Sequence, residues 1–91
     1  MYKLTKALIR LRPVRLRLDR EQTYLEVDYK PSSENPMFDI CDLDGRIIKT
    51  GKFQRGRLKV KVSDLISQAY VFLILDGEQI KSTRFDISRQ V

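Results

Sequence analysis

The chain has no histidine and a single cysteine, Cys41. An intramolecular disulfide therefore cannot form, and no histidine-based or multi-cysteine metal site can be assembled. A serine or cysteine nucleophile would lack its usual base. The carboxylates are spread singly along the sequence, so no residue is assigned a catalytic role and no enzyme is expected. Cys41 lies inside a β-prone run with no second cysteine or histidine to activate it, so its expected role is a small buried thiol. No cofactor is implied.

Long apolar runs are missing too. No stretch approaches the roughly 18 apolar residues that a membrane span needs. Lys6 and Arg10 interrupt the run from Leu4 to Leu11, which does not read as a secretory signal. Taken as given, the chain is expected in the cytoplasm; as a fragment of an exported protein it would belong to the cell envelope or the medium. At 91 residues there is room for one core only. With 42% apolar and 33% charged residues, the sequence is neither a disordered tail nor a membrane protein. The expectation is one soluble domain over residues 1–91.

Charge is unevenly placed. Residues 1–20 carry seven basic side chains against the single acid Asp19, which accounts for the whole net charge of +6. From Glu21 onward, eleven basic residues balance eleven acidic ones. A basic segment at 1–22 on a neutral body points to an anionic partner such as nucleic acid, or else to an edge strand kept soluble by its arginines. The candidate contact residues are Arg10, Arg12, Arg15, Arg17 and Arg20, with Lys59 and Lys61 from a later strand.

Hydrophobic periodicity then divides the chain. Residues 1–12 fit either a short helix or a strand, with strand favoured. Val14, Leu16 and Leu18 alternate with Arg15, Arg17 and Asp19, the period of a half-buried strand. Alternation resumes with Leu25, Val27 and Tyr29, lapses in a Pro- and Ser-containing loop at 30–36, and returns with Phe38 and Ile40. Leu58, Val60 and Val62 alternate with Lys59 and Lys61, and residues 63–68 have the composition of a single capped helical turn. Residues 69–75 are apolar without alternation, which predicts a strand covered on both faces. Residues 79–87 form a last strand. Turns are expected at Asp42, Asp44 and Gly45 and again at Asp76 and Gly77, where Asp and Gly accept tight-turn geometry. Calcium is the other use for Asp39, Asp42, Asp44 and Asp76, but a twelve-residue ligand loop with its final Glu is absent, so no metal site is assigned.

Six to seven short strands joined by turns predict an all-β fold, a small antiparallel β-sandwich or a small barrel. In a barrel, Tyr24, Tyr29, Tyr70 and Phe72 could stack on single-stranded bases; core packing is the preferred reading of these rings.

Three passages within residues 23–87 carry a resemblance. They are Phe38 to Ile48 around Asp-Leu-Asp-Gly-Arg, Leu58 to Leu65 followed by Ala69 to Ile74, and Asp76-Gly77 with Lys81, Arg84 and Phe85. Together they resemble the C-terminal sorting domain of the type IX secretion system of Bacteroidota. The residues matching that motif are Arg46, Leu65, Tyr70, Lys81, Arg84 and Phe85. The resemblance implies an immunoglobulin-like sandwich and a non-enzymatic addressing module recognised by secretion-machinery proteins, here as a free-standing relative. The alternative is a small intracellular module binding nucleic acid or another anionic partner. Open sheet edges are compatible with a monomer or a weak dimer.

Overall fold

The computed structural model describes residues 14–54 and 57–89. It contains seven strands: β1 (Arg15–Leu18), β2 (Tyr24–Asp28), β3 (Met37–Asp42), β4 (Ile47–Lys52), β5 (Arg57–Lys61), β6 (Gln68–Asp76) and β7 (Gln79–Ile87). They form two antiparallel sheets, a three-stranded one in the order β1-β2-β5 and a four-stranded one in the order β4-β3-β6-β7. The fold is thus a small immunoglobulin-like β-sandwich, not a barrel. The chain changes sheet between β2 and β3, between β4 and β5, and between β5 and β6. The ambiguous segment 1–12, with Arg10 and Arg12, lies outside the described residues.

Period-two alternation builds the interior. Leu25 and Val27 of β2, with Leu58 and Val60 of β5, face Phe38 and Ile40 of β3, Tyr70, Phe72 and Ile74 of β6, and Phe85 and Ile87 of β7. Each such side chain removed from water contributes about 1.5–3 kcal/mol. Aromatic pairs reinforce the core: Phe38 stacks on Phe72 at 5.4 Å, Tyr70 stacks on Phe85 at 5.5 Å, and Tyr29 meets Phe53 edge-on at 5.8 Å. Val14, Leu16 and Leu18 pack half-buried against this cluster.

The apolar run of β6 is central in its sheet but is not covered on both faces, contrary to expectation. Tyr70, Phe72 and Ile74 are buried, whereas Val71, Leu73 and Leu75 on the other face are only partly covered. A run without alternation cannot distinguish an opposing protein layer from the shelter given by neighbouring strands of the same sheet. Similarly, the helical turn expected at 63–68 is not formed: residues 63–67 make an irregular turn, and Gln68 already begins β6. The Leu65 N–H bonds the Val62 carbonyl at 3.0 Å, and Leu65 dips into the core as its apolarity requires.

Turn chemistry fixes the hairpins. Between β3 and β4 the Gly45 N–H bonds the Asp42 carbonyl at 3.1 Å, and Gly45 takes a φ of 89°. The Asp42 carboxylate accepts the N–H groups of Asp44 and Arg46, each at 2.9 Å, so Asp42 rather than Asp44 supplies the side-chain bonds of this turn. Gly77, with φ of 64°, is the first residue of the two-residue turn joining β6 to β7.

Gly51 has a different reason to be glycine. It lies opposite Phe38, and a Cβ there would sit 2.8 Å from the Phe38 ring, which is already stacked on Phe72. Gly51→Ala should therefore lower stability by roughly 1–3 kcal/mol, the range for overpacking a core. Urea unfolding measures it; an unchanged midpoint would show that the ring can move aside.

Candidate functional site

Two side-chain locks close the opposite ends of the β6–β7 ladder. At the first, Asp76 is a buried charge, 1% exposed. Its carboxylate accepts the Tyr29 hydroxyl at 2.7 Å, the Ser32 N–H at 2.9 Å and the Ser33 N–H at 2.8 Å. The Ser32 hydroxyl adds a bond at 3.2 Å. Asp76 was expected to serve its turn; its side chain instead binds the β2–β3 connection from the other side of the sandwich. Burial by itself would raise this carboxyl, but hydrogen bonding from Ser33, Tyr29 and Ser32 outweighs it and holds the group well below the usual carboxylate range.

At the other end Arg89 reaches back under the sandwich. Its guanidinium donates to the carbonyls of Leu65 at 3.0 Å, Gln22 at 3.2 Å and Val62 at 2.6 Å. The Gln22 side-chain amide bonds both the N–H and the C=O of Ser88, at 2.8 and 2.7 Å. Tyr70 anchors the corner entering β6, donating its hydroxyl to the Ile66 carbonyl at 2.8 Å. This is the tyrosine corner of immunoglobulin-like sandwiches. Neither Gln22 nor Arg89 carries a sequence signal, because bonds to backbone carbonyls leave no periodic trace.

The outer face of the three-stranded sheet gathers the basic residues. Arg15 and Arg57 flank Asp28 across β2, and Arg17 and Lys59 flank Glu26. Lys61 lies opposite Tyr24. Thus Arg15, Arg17, Lys59 and Lys61 share one surface with Arg57, which joins them only through the pairing of β5 with β2. Arg20 is exposed in the β1–β2 turn, outside those rows. The middle column is acidic, however. Arg17 bonds Glu26 at 2.7 Å and thereby holds that carboxyl below its ordinary value. Of the proposed stacking rings, only Tyr24 is exposed, at 38%, and Lys59 already sits over it at 5.1 Å. Tyr29, Tyr70 and Phe72 are core residues.

The four-stranded sheet has the opposite character. Its outer face shows Met37, Val71, Leu73 and Leu75 partly covered, with Ile47 and Ile48 exposed along β4 and Ile80 exposed on β7. Of the sorting-like residues, Leu65, Tyr70 and Phe85 are buried, Arg46 and Arg84 are exposed, and Lys81 is partly exposed. Cys41 is buried, and burial together with Asp39 and Asp42 raises its thiol pKa, against a role as a nucleophile. Among the described residues no group of three His, Cys, Asp or Glu side chains could hold a metal ion. No described helix is long and apolar enough to cross a membrane. No protein-family model and no curated protein matches the sequence.

Asp76 gives a pH-dependent prediction. A carboxyl whose folded value is depressed stabilises the fold above its unfolded value, about 3.9, and that contribution is lost as pH falls. Asp76→Asn should therefore lie below the parent protein at neutral pH, with the gap narrowing, though not yet closed, between about pH 5 and pH 2. Asp76→Ala, which removes the acceptor of the Tyr29 hydroxyl and of the Ser32 and Ser33 N–H groups, should lose about 3 kcal/mol or more. Thermal melts across that range measure both; a gap independent of pH would mean that Asp76 is not held ionised.

Proposed function

We propose that this domain is a non-catalytic recognition module, gripped by a protein partner in the manner of the type IX sorting domains it resembles. The observation that supports this most is the outer face of the four-stranded sheet. Apolar side chains of β3 and β6 are only partly covered there, between exposed isoleucines on both edge strands, with Asp39 and Arg84 on the same face and Arg46 at its rim. An apolar surface with a charged margin suits association with another protein. The three passages that carry the resemblance fall on the β3–β4 hairpin, the corner into β6 and the β6–β7 hairpin. On this reading the partner belongs to an export machinery, and the protein travels to the envelope or medium with whatever it is joined to.

The test is to fuse the full 91-residue chain behind a periplasmic reporter in a Bacteroidota strain and in its translocon-deficient mutant. Delivery to the surface or medium in the first strain only is the expected result. Retention in the periplasm of both strains would refute the sorting role.

A second reading has one observation in its favour: five basic side chains, Arg15, Arg17, Arg57, Lys59 and Lys61, converge on one face. A polyanion lying there would release counterions, so its affinity should fall log-linearly with salt. Glu26 and Asp28 in the middle of that face oppose it. Oligonucleotide anisotropy at low salt decides; no change on adding protein ends this reading.

A further inference from the structure

Among the described residues the sandwich has four edge strands, and three are obstructed. β1 is only four residues long. β4 is irregular, with a register shift against β3 at Ile40/Cys41, and Lys49 reaches away to bond Asp64 at 2.9 Å. β5 carries Arg57, Lys59 and Lys61 on its outward face, so cations would face cations if it paired with itself. β7 differs from all of them. It is nine residues long, contains no proline, and pairs with β6 in unbroken register from Gln68↔Ile87 to Asp76↔Gln79. Among the described residues no strand pairs with its other side. Short length, irregularity and charge are the usual devices that blunt an edge, and β7 lacks the first two.

Two observations show which backbone groups of β7 point outward. Asp76 and Gln79 face each other across a two-residue turn, the arrangement in which that pair exchanges backbone bonds; Gln79, Lys81, Thr83, Phe85 and Ile87 therefore bond β6. Ile80, Ser82, Arg84 and Asp86 are left with N–H and C=O groups directed outward. Ser88 continues that series, and its N–H and C=O are the groups taken by the Gln22 amide. Gln22 thus closes the edge at one end and leaves residues 79–87 available.

Self-pairing about a two-fold axis must place side chains of the same face together, so the axis passes through a residue. An axis at Arg84 sets that arginine against its own copy. One at Phe85 drives Ser82 of the second copy into the Gln22–Ser88 lock, and one at Ser82 sets Glu78 against Asp86. An axis at Thr83 avoids all three. It pairs 79–87 with itself along its full length, matching Ser82 with Arg84 and Ile80 with Asp86, and leaves both Gln22 locks just outside the paired region. Each Arg84 keeps its own Asp86 at 3.6 Å as a neutralising neighbour.

We propose that β7 is a docking edge whose occupant is β7 of a second copy, paired antiparallel about Thr83 to give one continuous eight-stranded sheet. The two Thr83 residues then occupy a pair without mutual backbone bonds, where Cα atoms are about 4.5 Å apart, within disulfide reach.

Sedimentation velocity on the full chain should show a reversible, concentration-dependent dimer. Ser82→Pro removes an outward N–H while leaving the bonds to β6, and should give a folded monomer by circular dichroism. Thr83→Cys under oxidised glutathione should form a covalent dimer that thiol reverses, whereas the parent chain, with only buried Cys41, should not. A chain that is monomeric at every concentration overturns the proposal, as does a dimer that survives Ser82→Pro. Failure of Thr83→Cys to cross-link overturns the Thr83 register. If Ser82→Pro unfolds, the cross-link alone decides, because Thr83 is only half-buried and the exchange is small. A dimer that dissociates on adding an extended peptide from another protein would replace the second copy as occupant.

Discussion

An ionised carboxylate buried between two layers must be satisfied by hydrogen bonds, and Asp76 is satisfied by a segment far from it in sequence. That requirement fixes where the chain leaves one sheet and enters the other. The β2–β3 connection contains two prolines and has little regular backbone bonding of its own, so Asp76 supplies the acceptor that its N–H groups need. The hairpin that Asp76 begins is thereby tied to the crossing that makes the fold a sandwich. Arg89 does the complementary work at the other end, donating to the carbonyls left open by the β1–β2 turn and the β5–β6 corner. Between these locks the apolar core needs only to be filled.

The resemblance to a sorting domain looks different once its residues are placed. Leu65, Tyr70 and Phe85 are what an immunoglobulin-like sandwich needs at its corner and core, whatever its task. They explain why the pattern is visible and carry no information about a partner. Any recognition must reside in the exposed remainder, Arg46, Lys81 and Arg84, and in the apolar face and open edge beside them. The fold and the addressing role are therefore separable.

Strand positions, though not their order within the sheets, were legible where burial imposed a period of two. Leu25 with Val27, Phe38 with Ile40, and Leu58 with Val60 each announce a strand with one wet face. The two hairpins were legible because Gly45 and Gly77 take positive φ angles. What stayed hidden depends on distance in sequence. Asp76 beside Gly77 looks like a turn residue, and only the folded chain brings Tyr29 to it. The arginines were legible as charge but not as rows, because the column of Glu26 and Asp28 that divides them appears only when β1 and β5 flank β2. The uniform apolarity of 69–75 suggested two covered faces, whereas one of them is the surface proposed for recognition.

Side chains close the ends of the sandwich and leave one long edge open among the described strands, and amide hydrogen exchange on the dilute protein tests this most directly. The amides of Ser32, Ser33 and Ser88, all outside strands, should exchange as slowly as those in β3 and β6, while those of Ser82 and Arg84 exchange fast. Fast exchange at Ser32 and Ser33 would contradict the Asp76 lock, and slow exchange at Ser82 and Arg84 at high dilution would mean that the β7 edge is already covered within one chain.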